Sequence, residues 1–410
     1  MPVYSYSLRD GAGGIQKGTA ESESEDFLRQ QFREQGLELV EVEMIRAKST
    51  KPKKYGKVKR DKLSIFCRQF STMVDAGVSL VRCLDVLSRQ SQDPKLKKIL
   101  VDLGERVESG ESLSKAMQRH PRTFDNLFVG LIKAGEIGGV LEEALQRLSQ
   151  FLEKDVELRR KVKSALTYPV LVLVFATCIV IFLVVWVVPQ FITLFRDIGM
   201  KDEDFPAMTM FLVNVSNAFV QRAPVILISV VALIIAQRVF VSTRFGRRVT
   251  DRVKLYIPVF GKLHHKVCMA RFARTMGTLL TSGVPILQAM ETVAGTVGNS
   301  VMSDALLEAR ARIREGDRIG DPLEKSKLFP PMVVHMIGVG EESGSLDFML
   351  QKIADFYESE VEATLASLTA ALEPILIVSL GFIVGFIVIA MFLPLVKVIE
   401  GLSSGALDES

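Results

Sequence analysis

The segment KAGEIGGVLEEAL at residues 133–145 has a counterpart, GVGEESGSLDFML, at residues 338–350, which is 205 positions later. A second pair lies upstream of it. FCRQFSTMVDAGVSLVRCLDVL at residues 66–87 matches FARTMGTLLTSGVPILQAMETV at residues 272–293, at an offset of 206. Because both pairs occur in the same order and at nearly the same offset, the sequence predicts one structural unit present twice.

Each copy has the apolar spacing of amphipathic helices. In the first copy, apolar residues recur at intervals of three and four positions, and glycines such as Gly77 and Gly110 separate the periodic segments. We therefore predict a mainly α fold with six helices in each copy. The last helix of the first copy is expected to be long, from about residue 139 to residue 164. The stripes consist of Leu63, Phe66, Phe70, Met73 and Val74, then of Leu141, Leu145, Leu148, Leu152 and Val156.

Three apolar stretches, at residues 170–188, 224–241 and 374–396, are long enough to cross a membrane. A bilayer core needs about 20 mostly apolar residues in a helix. The alternative is a buried helix of a soluble protein, but the first stretch carries no charged residue. Pro169 and Pro374 precede two of the stretches, and we expect each to lie in the first turn of its transmembrane helix, where proline is tolerated.

Basic residues predict the orientation of these helices. Lysines and arginines are dense at residues 159–163 and 244–254, so these segments are expected on the cytoplasmic side. The segment between the first two stretches and the chain after residue 396 hold few basic residues, and we expect them to face outward. The N-terminus is then cytoplasmic and the C-terminus lies outside.

The N-terminal residues differ from both copies and predict a small α+β module. Alternating residues near Tyr4 and Tyr6 favour a strand, residues 25–34 a helix and residues 37–42 a closing strand. The lysine-rich linker after it is either solvated or in contact with anionic lipid or a partner. The predicted order is N-terminal module 1–47, linker 48–60, first cytoplasmic bundle 61–168, transmembrane helix 169–189, outward segment 190–222, transmembrane helix 223–241, second cytoplasmic bundle 242–373, transmembrane helix 374–396 and outward tail 397–410.

The chemistry that the sequence carries does not predict an enzyme. The sequence lacks the glycine-rich loop, followed by Lys and Ser or Thr, that would predict an NTPase. His264 and His265 are adjacent and would point about 100° apart on a helix, so they are not expected to share a metal. The net charge of +4 does not favour nucleic acid. Four cysteines without a CxxC pair predict neither disulfides nor zinc. We expect no cofactor and no metal, although the acidic run Glu153, Asp155 and Glu157 leaves a divalent cation at an oligomer interface as an alternative to a solvated helix face.

Two other classes of membrane protein fit the sequence less well. A receptor would need a sizeable outer domain, whereas the outward segment has only about 34 residues, too few to fold alone. A transporter would need more spans or buried ionisable residues within them, and the predicted spans hold no Asp, Glu or Lys.

The sequence resembles the GspF/PilC family of inner-membrane platform proteins over nearly its whole length. The AGExxGxL pattern at residues 134–141, its second copy, the Tyr168-Pro169 pair and the ending EPILIVSLGFIVGFIVIAMFLPL at residues 373–395 carry this resemblance. The segments AGEIGG and LPLVKVIEGL resemble the pilus branch of the family more than the secretion branch.

The resemblance implies the function and the partners. It implies a platform of the type IV pilus machine that couples a hexameric cytoplasmic ATPase to the insertion or removal of pilin. The alternative is a platform of a type II secretion system, acting on pseudopilin. Other inner-membrane assembly proteins, membrane lipid and further copies of this chain are the remaining expected partners.

The candidate site residues follow from the duplicated motif and the third span. We expect the glycines of the motif to be hinges between helices, because glycine adopts positive φ without a clash. The two glutamates are expected either to bond backbone amides at the start of the next helix or to contact a partner. Gly381 and Gly385 form GxxxG, which favours close packing of spans, or reflect the ordinary frequency of glycine in membranes. The motif residues are Gly135, Glu136, Gly138, Gly139, Gly340, Glu341 and Gly344.

Overall fold

The computed structural model of the chain describes residues 3–9, 15–21, 32–33, 38–45, 56–198, 200, 205–258 and 260–408. Two compact units are present, residues 1–57 and residues 58–410. Each unit is described by itself.

The N-terminal unit contains a three-stranded antiparallel sheet in the order β2-β1-β3. Its strands are β1 (Val3–Arg9), β2 (Ile15–Glu21) and β3 (Glu38–Ile45). Tyr6 is paired with Gly18 on one side and Val42 on the other, and the register of β1 and β3 shifts between Ser7 and Leu8. Most of the predicted helix at residues 25–34 lies outside the described residues.

The first copy in the second unit has six helices, as its periodicity predicts. Asp93 caps the third of these helices by accepting hydrogen bonds from the amides of Lys95 and Leu96, with Pro94 in the first turn. Buried apolar side chains, including Phe70, Leu103 and Leu145, form the core of this bundle. The helices are α1 (Arg60–Asp75), α2 (Leu80–Gln90), α3 (Pro94–Glu108), α4 (Leu113–Gln118), α5 (Asn126–Gly138) and α6 (Leu141–Phe182).

The second copy repeats these six helices in the same order, which explains the two offsets in the sequence. Its core also contains an aromatic pair, Phe272 and Phe329, whose ring centroids lie 5.1 Å apart. The helices of the second copy are α11 (Phe260–Thr281), α12 (Ile286–Thr296), α13 (Ser300–Arg314), α14 (Gly320–Lys325), α15 (Pro331–Ser343) and α16 (Leu346–Asp408). Between the copies lie α7 (Val188–Asp197), α8 (Ala207–Gln221), α9 (Ala223–Ser242) and α10 (Arg244–Tyr256).

Three helical segments in the described part of the chain are long and apolar enough to cross a membrane. They are Leu141–Asp197, Ala223–Ser242 and Leu346–Glu400. The first and third include the last helix of each copy, so those bundle helices continue into the apolar segments without interruption.

Pro169 and Pro374 do not open new helices, which corrects the sequence prediction. Both lie inside continuous helices, α6 and α16. A proline inside a helix removes one hydrogen bond, but ending the helix there would leave several backbone groups unpaired next to an apolar environment. The single lost bond is the smaller penalty.

A π-helical turn, Leu183–Val187, separates α6 from α7. The amide of Val188 donates to the carbonyl of Leu183, five residues back. Pro189 follows at once, and because its ring would clash with the carbonyl four residues earlier, a wider turn relieves the crowding.

The predicted outward segment packs on the spans, as its shortness led us to expect. Ile192 and Phe195 of α7 and Leu212 of α8 are buried in one apolar cluster with Ile387 of α16. The Thr209 hydroxyl donates to the carbonyl of Ala390 in α16 at 2.5 Å.

Candidate functional site

The motif turns of the two copies have nearly identical backbones. Gly139 ends α5 with φ of 69°, and Gly344 ends α15 with φ of 68°. A residue with a side chain is strained in this left-handed region, so glycine is favoured there. The amide of Val140 donates to the carbonyl of Gly135, as that of Ser345 does to Gly340, each at 2.9 Å.

Gly135 and Gly340 have a different role from the hinge that the sequence suggested. Both lie inside helices, at the crossing with the next helix. A Cβ on Gly135 would lie 2.5 Å from the Cβ of Ala144, and one on Gly340 would lie 2.9 Å from the Cα of Leu346. These distances are shorter than van der Waals contact, so each glycine permits the close approach of two helices. Gly138 is the last residue of α5.

The motif glutamates accept hydrogen bonds from backbone amides. Glu136 accepts from the amide of Ser114 at 3.2 Å and also from its hydroxyl. Glu341 accepts from the amide of Ile319 at 2.9 Å. Ser114 and Ile319 occupy equivalent positions at the starts of α4 and α14. The bonded helix starts therefore precede the motif in the chain, whereas the sequence prediction placed them after it.

The exposed residue after each glutamate differs between the copies. Ile137 is 79% exposed, whereas its counterpart is the charged Glu342. The first motif turn therefore presents an apolar side chain to the surroundings and the second presents a carboxylate.

Ion pairs join the first and last helices of each copy at equivalent positions. In the first copy Arg60 bonds Asp155 and Arg68 bonds Glu153, each at 3.1 Å. In the second copy the equivalent positions are paired in the same way. Lys266 bonds Glu360 at 2.7 Å and Arg274 bonds Glu358 at 2.9 Å.

The sequence analysis did not predict these ion pairs, although the spacing of the charged residues indicates them. The partners are separated by 95 and 85 residues in the first copy and by 94 and 84 in the second. Opposite charges that recur at matched separations in two copies indicate a contact shared by both.

Asp155 is also the centre of the junction between the two copies. Its side chain is only 8% exposed, and Arg159 bonds it at 2.8 Å in addition to Arg60. Arg271, from the second copy, approaches it to 3.8 Å. Burial lowers the pKa of Arg271, and the nearby positive charge of Arg159 lowers it further. Asp155 thus balances several cations in a weakly solvated place.

Two further contacts cross the junction. Lys161 of α6 bonds Glu157 on its own helix at 2.8 Å and Glu362 of α16 at 2.5 Å. Glu157 and Glu362 are equivalent residues of the two copies, so one lysine bridges them. These hydrogen bonds raise the pKa of Lys161, which keeps it charged. The Arg147 guanidinium donates to the carbonyl of Thr281 at the end of α11, where a positive charge is favourable.

The carboxylates of the acidic run bond cationic side chains of the chain itself. Glu153, Asp155 and Glu157 are each bonded to Arg or Lys side chains, which use the oxygens that a cation would need. Within the described ranges, no group of three His, Cys, Asp or Glu residues could hold a metal ion. The ring of His265 bonds the backbone carbonyl of Leu328, and Nε2 of His264 lies 3.3 Å from the side-chain Nδ2 of Asn299.

Gly381 and Gly385 lie on the third apolar segment with open space around them. No atom lies within 4 Å of a Cβ added at either residue. The structure therefore brings no other helix of the described residues against them.

Together these features define an integral membrane protein built from a duplicated six-helix unit. Residues 66–189 and 272–394 match the family described as type II secretion system (T2SS), protein F, once in each copy. Residues 1–43 match the N-terminal domain of that protein. The chain belongs to the type II secretion system protein F family, and it is an inner-membrane protein.

Relatives from both branches of the family cover almost the whole chain. The type IV pilus assembly protein PilC of Thermus thermophilus is 43% identical over 98% of this chain and 100% of its own length. PilC of Myxococcus xanthus is 41% identical over 95% of this chain and 93% of its own. The type II secretion system protein F of Vibrio cholerae is 33% identical, covering 97% and 98%.

Proposed function

We propose that this chain is the inner-membrane platform of a type IV pilus machine, and that it transmits the motion of a cytoplasmic ATPase to pilin in the membrane. The observation that carries the proposal is the continuity of α6 and α16 with the apolar segments. At 1.5 Å per residue, their 42 and 63 residues extend about 63 Å and 95 Å. Helices of this length can transmit a displacement from the bundles to the membrane.

The junction between the copies supports the same role. The contacts of Asp155 with Arg271 and of Lys161 with Glu362 connect the first copy to the second near the start of the apolar segments. Because the two bundles are held together, a force applied to one would reach both long helices. The chain itself then needs no catalytic group, since the ATPase would supply the free energy.

The partners and the orientation follow from the same reasoning. With the bundles in the cytoplasm, a hexameric ATPase would have access to them. The outward cluster of α7 and α8 would lie close to the path of pilin. In this arrangement the N-terminus is cytoplasmic and the C-terminus faces outward.

Copurification tests the role directly. The full-length chain is extracted from its native host in mild detergent, and copurifying proteins are identified by mass spectrometry. The proposal expects the pilus assembly ATPase and pilin among them, and loss of surface pili when the gene is deleted. A deletion strain that keeps its pili but no longer secretes folded proteins would instead place the chain in a type II secretion system. The PilC relatives favour the pilus branch over this alternative.

We also propose that the chain forms homo-oligomers through its third span. Gly381 and Gly385 leave a flat surface on which the span of another copy could pack closely. Replacing both by Leu should reduce the oligomer size in detergent, measured by light scattering. Ile383→Leu serves as the control, because Ile383 is 43% exposed and lies on the opposite face of the same span. Unchanged size in the double variant would contradict this packing.

The N-terminal unit is the best candidate for a contact that reaches out to a partner. It is compact in itself, and a lysine-rich sequence follows its last strand. A chain of residues 58–410, which keeps Arg60 and its bond to Asp155, should insert and oligomerise normally but lose pili or ATPase binding. Normal piliation with normal ATPase binding would contradict this role.

A further inference from the structure

Helix α10, which follows α9 directly, carries an exposed apolar stripe. Phe245 is 74% exposed, Val253 52% and Tyr256 82%, and Val249 lies between them. At 100° per residue these four side chains fall within about 80° of one another. They form a continuous apolar surface that the rest of the described chain leaves uncovered.

The opposite side of α10 is fixed to the second bundle. Asp251 is buried and accepts a hydrogen bond from the amide of Ser300 at 3.0 Å. The side chain of Asn299 donates to the backbone carbonyl of Asp251 at 3.0 Å. Since these contacts fix the rotation of α10, the apolar stripe must face away from the bundle.

Tight turns fix both ends of α10. Thr243 caps the helix by accepting from the amide of Gly246, and a Cβ on Gly246 would lie 1.9 Å from the carbonyl oxygen of Phe240. At the other end, a Cβ on Gly261 would lie 2.3 Å from the carbonyl oxygen of Leu255. The stripe therefore begins within a few residues of a segment that is long and apolar enough to cross a membrane.

Basic side chains lie beside the stripe on one flank. The sequence of α10 contains five basic residues and only one acidic residue, Asp251. Arg252 and Arg248 lie on this flank, and Arg248 also bonds Asp304 at 2.8 Å. Arg247 and Lys254 lie on the opposite side of the helix and pair with Asp251, at 3.9 Å and 3.1 Å. Two cavities next to the turn between α10 and α11 continue this pattern. One, of about 510 Å³, is lined in part by Arg252, Lys262 and Lys327, and the other, of about 460 Å³, by Arg159, Lys163 and Lys254.

We propose that α10 lies in the membrane interface, with its apolar stripe among the acyl chains and its basic flank, Arg248 and Arg252, against anionic lipid headgroups. A helix with aromatic and aliphatic residues on one face and Arg and Lys beside it is typical of interfacial binding. The charge of this flank matches an anionic leaflet, and the apolar surface continues that of the adjoining segment α9. Through Asp251, α10 would also fix the height of the second bundle relative to the bilayer.

The single tryptophan of the chain makes the test specific. In full-length protein carrying Trp186→Phe, the variant Phe245→Trp is reconstituted into nanodiscs of phosphatidylcholine and phosphatidylglycerol. The control is Ile137→Trp, since Ile137 is similarly exposed but lies near the end of α5, next to the start of α6. The start of α6 is about 40 Å from Pro169 along that helix. The emission spectrum is recorded, and quenching is measured with lipids brominated near the headgroup end of the acyl chain.

The expected result for Phe245→Trp is blue-shifted emission and several-fold stronger quenching than for Ile137→Trp. Adding Arg248→Gln and Arg252→Gln should weaken the quenching, more in discs with phosphatidylglycerol than in discs of phosphatidylcholine alone. Emission and quenching equal to those of the control would overturn the proposal. Blue-shifted emission without bromolipid quenching would also overturn it, because the stripe would then be covered by protein.

Discussion

The two copies share the contacts that build the bundle and differ in the contacts that face outward. Both have a glycine at the helix crossing, a glutamate bonded to an earlier helix start and two ion pairs between the first and last helices. They differ where the first copy has Ile137 and the second has Glu342, and where the second copy has Arg271 and the first has Ile65. The shared positions maintain one fold twice, whereas the differing positions distinguish the surfaces and the junction.

Buried cysteines allow the two copies to be followed separately in one protein. Cys67 reports on the first copy and Cys268 on the second, and both are completely buried. Burial raises the pKa of Cys67 well above its ordinary value and that of Cys268 to about 12, so each thiol is protected until its bundle opens. Labelling rates at each cysteine, read by mass spectrometry, thus compare the local stabilities of the copies.

The largest difference is expected between Asp155→Asn and Glu360→Gln. Asp155 is buried among several cations, so neutralising it should destabilise the first copy by about 3 kcal/mol and speed the labelling of Cys67 about a hundredfold. Glu360 is 39% exposed and pairs with one lysine, and its loss should cost less than about 1 kcal/mol, read at Cys268. Equal effects of the two variants would contradict the special place given to Asp155.

Overpacking at the helix crossings should have the next largest effect, and it should be similar in both copies. Gly135→Ala and Gly340→Ala each place a Cβ closer than van der Waals contact and should cost about 1–3 kcal/mol. Gly130→Ala and Gly338→Ala are matched controls in the same two helices, with nothing within 4 Å of the added Cβ. The controls should leave labelling unchanged or slow it slightly. If Gly135→Ala and Gly340→Ala left the labelling rates as unchanged as the controls do, the close approach of the helices would be unimportant for stability.

The sequence was sufficient to predict the elements but not the crossings between them. Periodicity and offset gave six helices in each copy, and the left-handed turns at Gly139 and Gly344 follow from glycine chemistry. The role of Gly135 depends on where Ala144 lies after folding, which no local pattern states. For the same reason the partner of Glu136, 22 residues upstream, was placed on the wrong helix.

The motif glutamates should show a smaller and unequal effect. Glu136 accepts from an amide and a hydroxyl, so Glu136→Ala should cost about 2 kcal/mol in the first copy. Glu341 accepts from one amide, and Glu341→Ala should cost about 1 kcal/mol in the second. Glu136→Gln keeps an acceptor and should restore most of the loss. If Glu136→Ala abolished ATPase association but left Cys67 labelling unchanged, Glu136 would be a partner contact and not a structural one.

The smallest expected effect is a dependence of stability on pH. It concerns helix α10, which precedes the second copy, whereas the lysine-rich linker precedes the first copy. Burial alone would raise the pKa of Asp251, but the Ser300 amide and Lys254 lower it below its ordinary 3.8. The stabilisation is therefore fully present above pH 3.8 and is lost as the pH falls through the lowered pKa. The difference in melting temperature between the native chain and Asp251→Asn, followed by circular dichroism, should be constant from neutral pH to about 5 and shrink only in stronger acid. A difference that disappears already near neutral pH would contradict the bonding of the carboxylate.

Transmission of motion through α6 is the central claim, and softening that helix tests it most directly. Ser164 and Thr167 are exposed and lie just before Pro169, so Ser164→Gly, Ala165→Gly and Thr167→Gly together should make the helix flexible at a local cost of about 2 kcal/mol. The control carries Ser164→Ala and Thr167→Ala, which keep it stiff. Surface pili are counted in strains with each variant, after membrane insertion and ATPase copurification have been checked. The account predicts that the glycine variant inserts and binds the ATPase but loses most pili, while the alanine variant keeps them. Normal piliation with the glycine variant would contradict rigid coupling through α6.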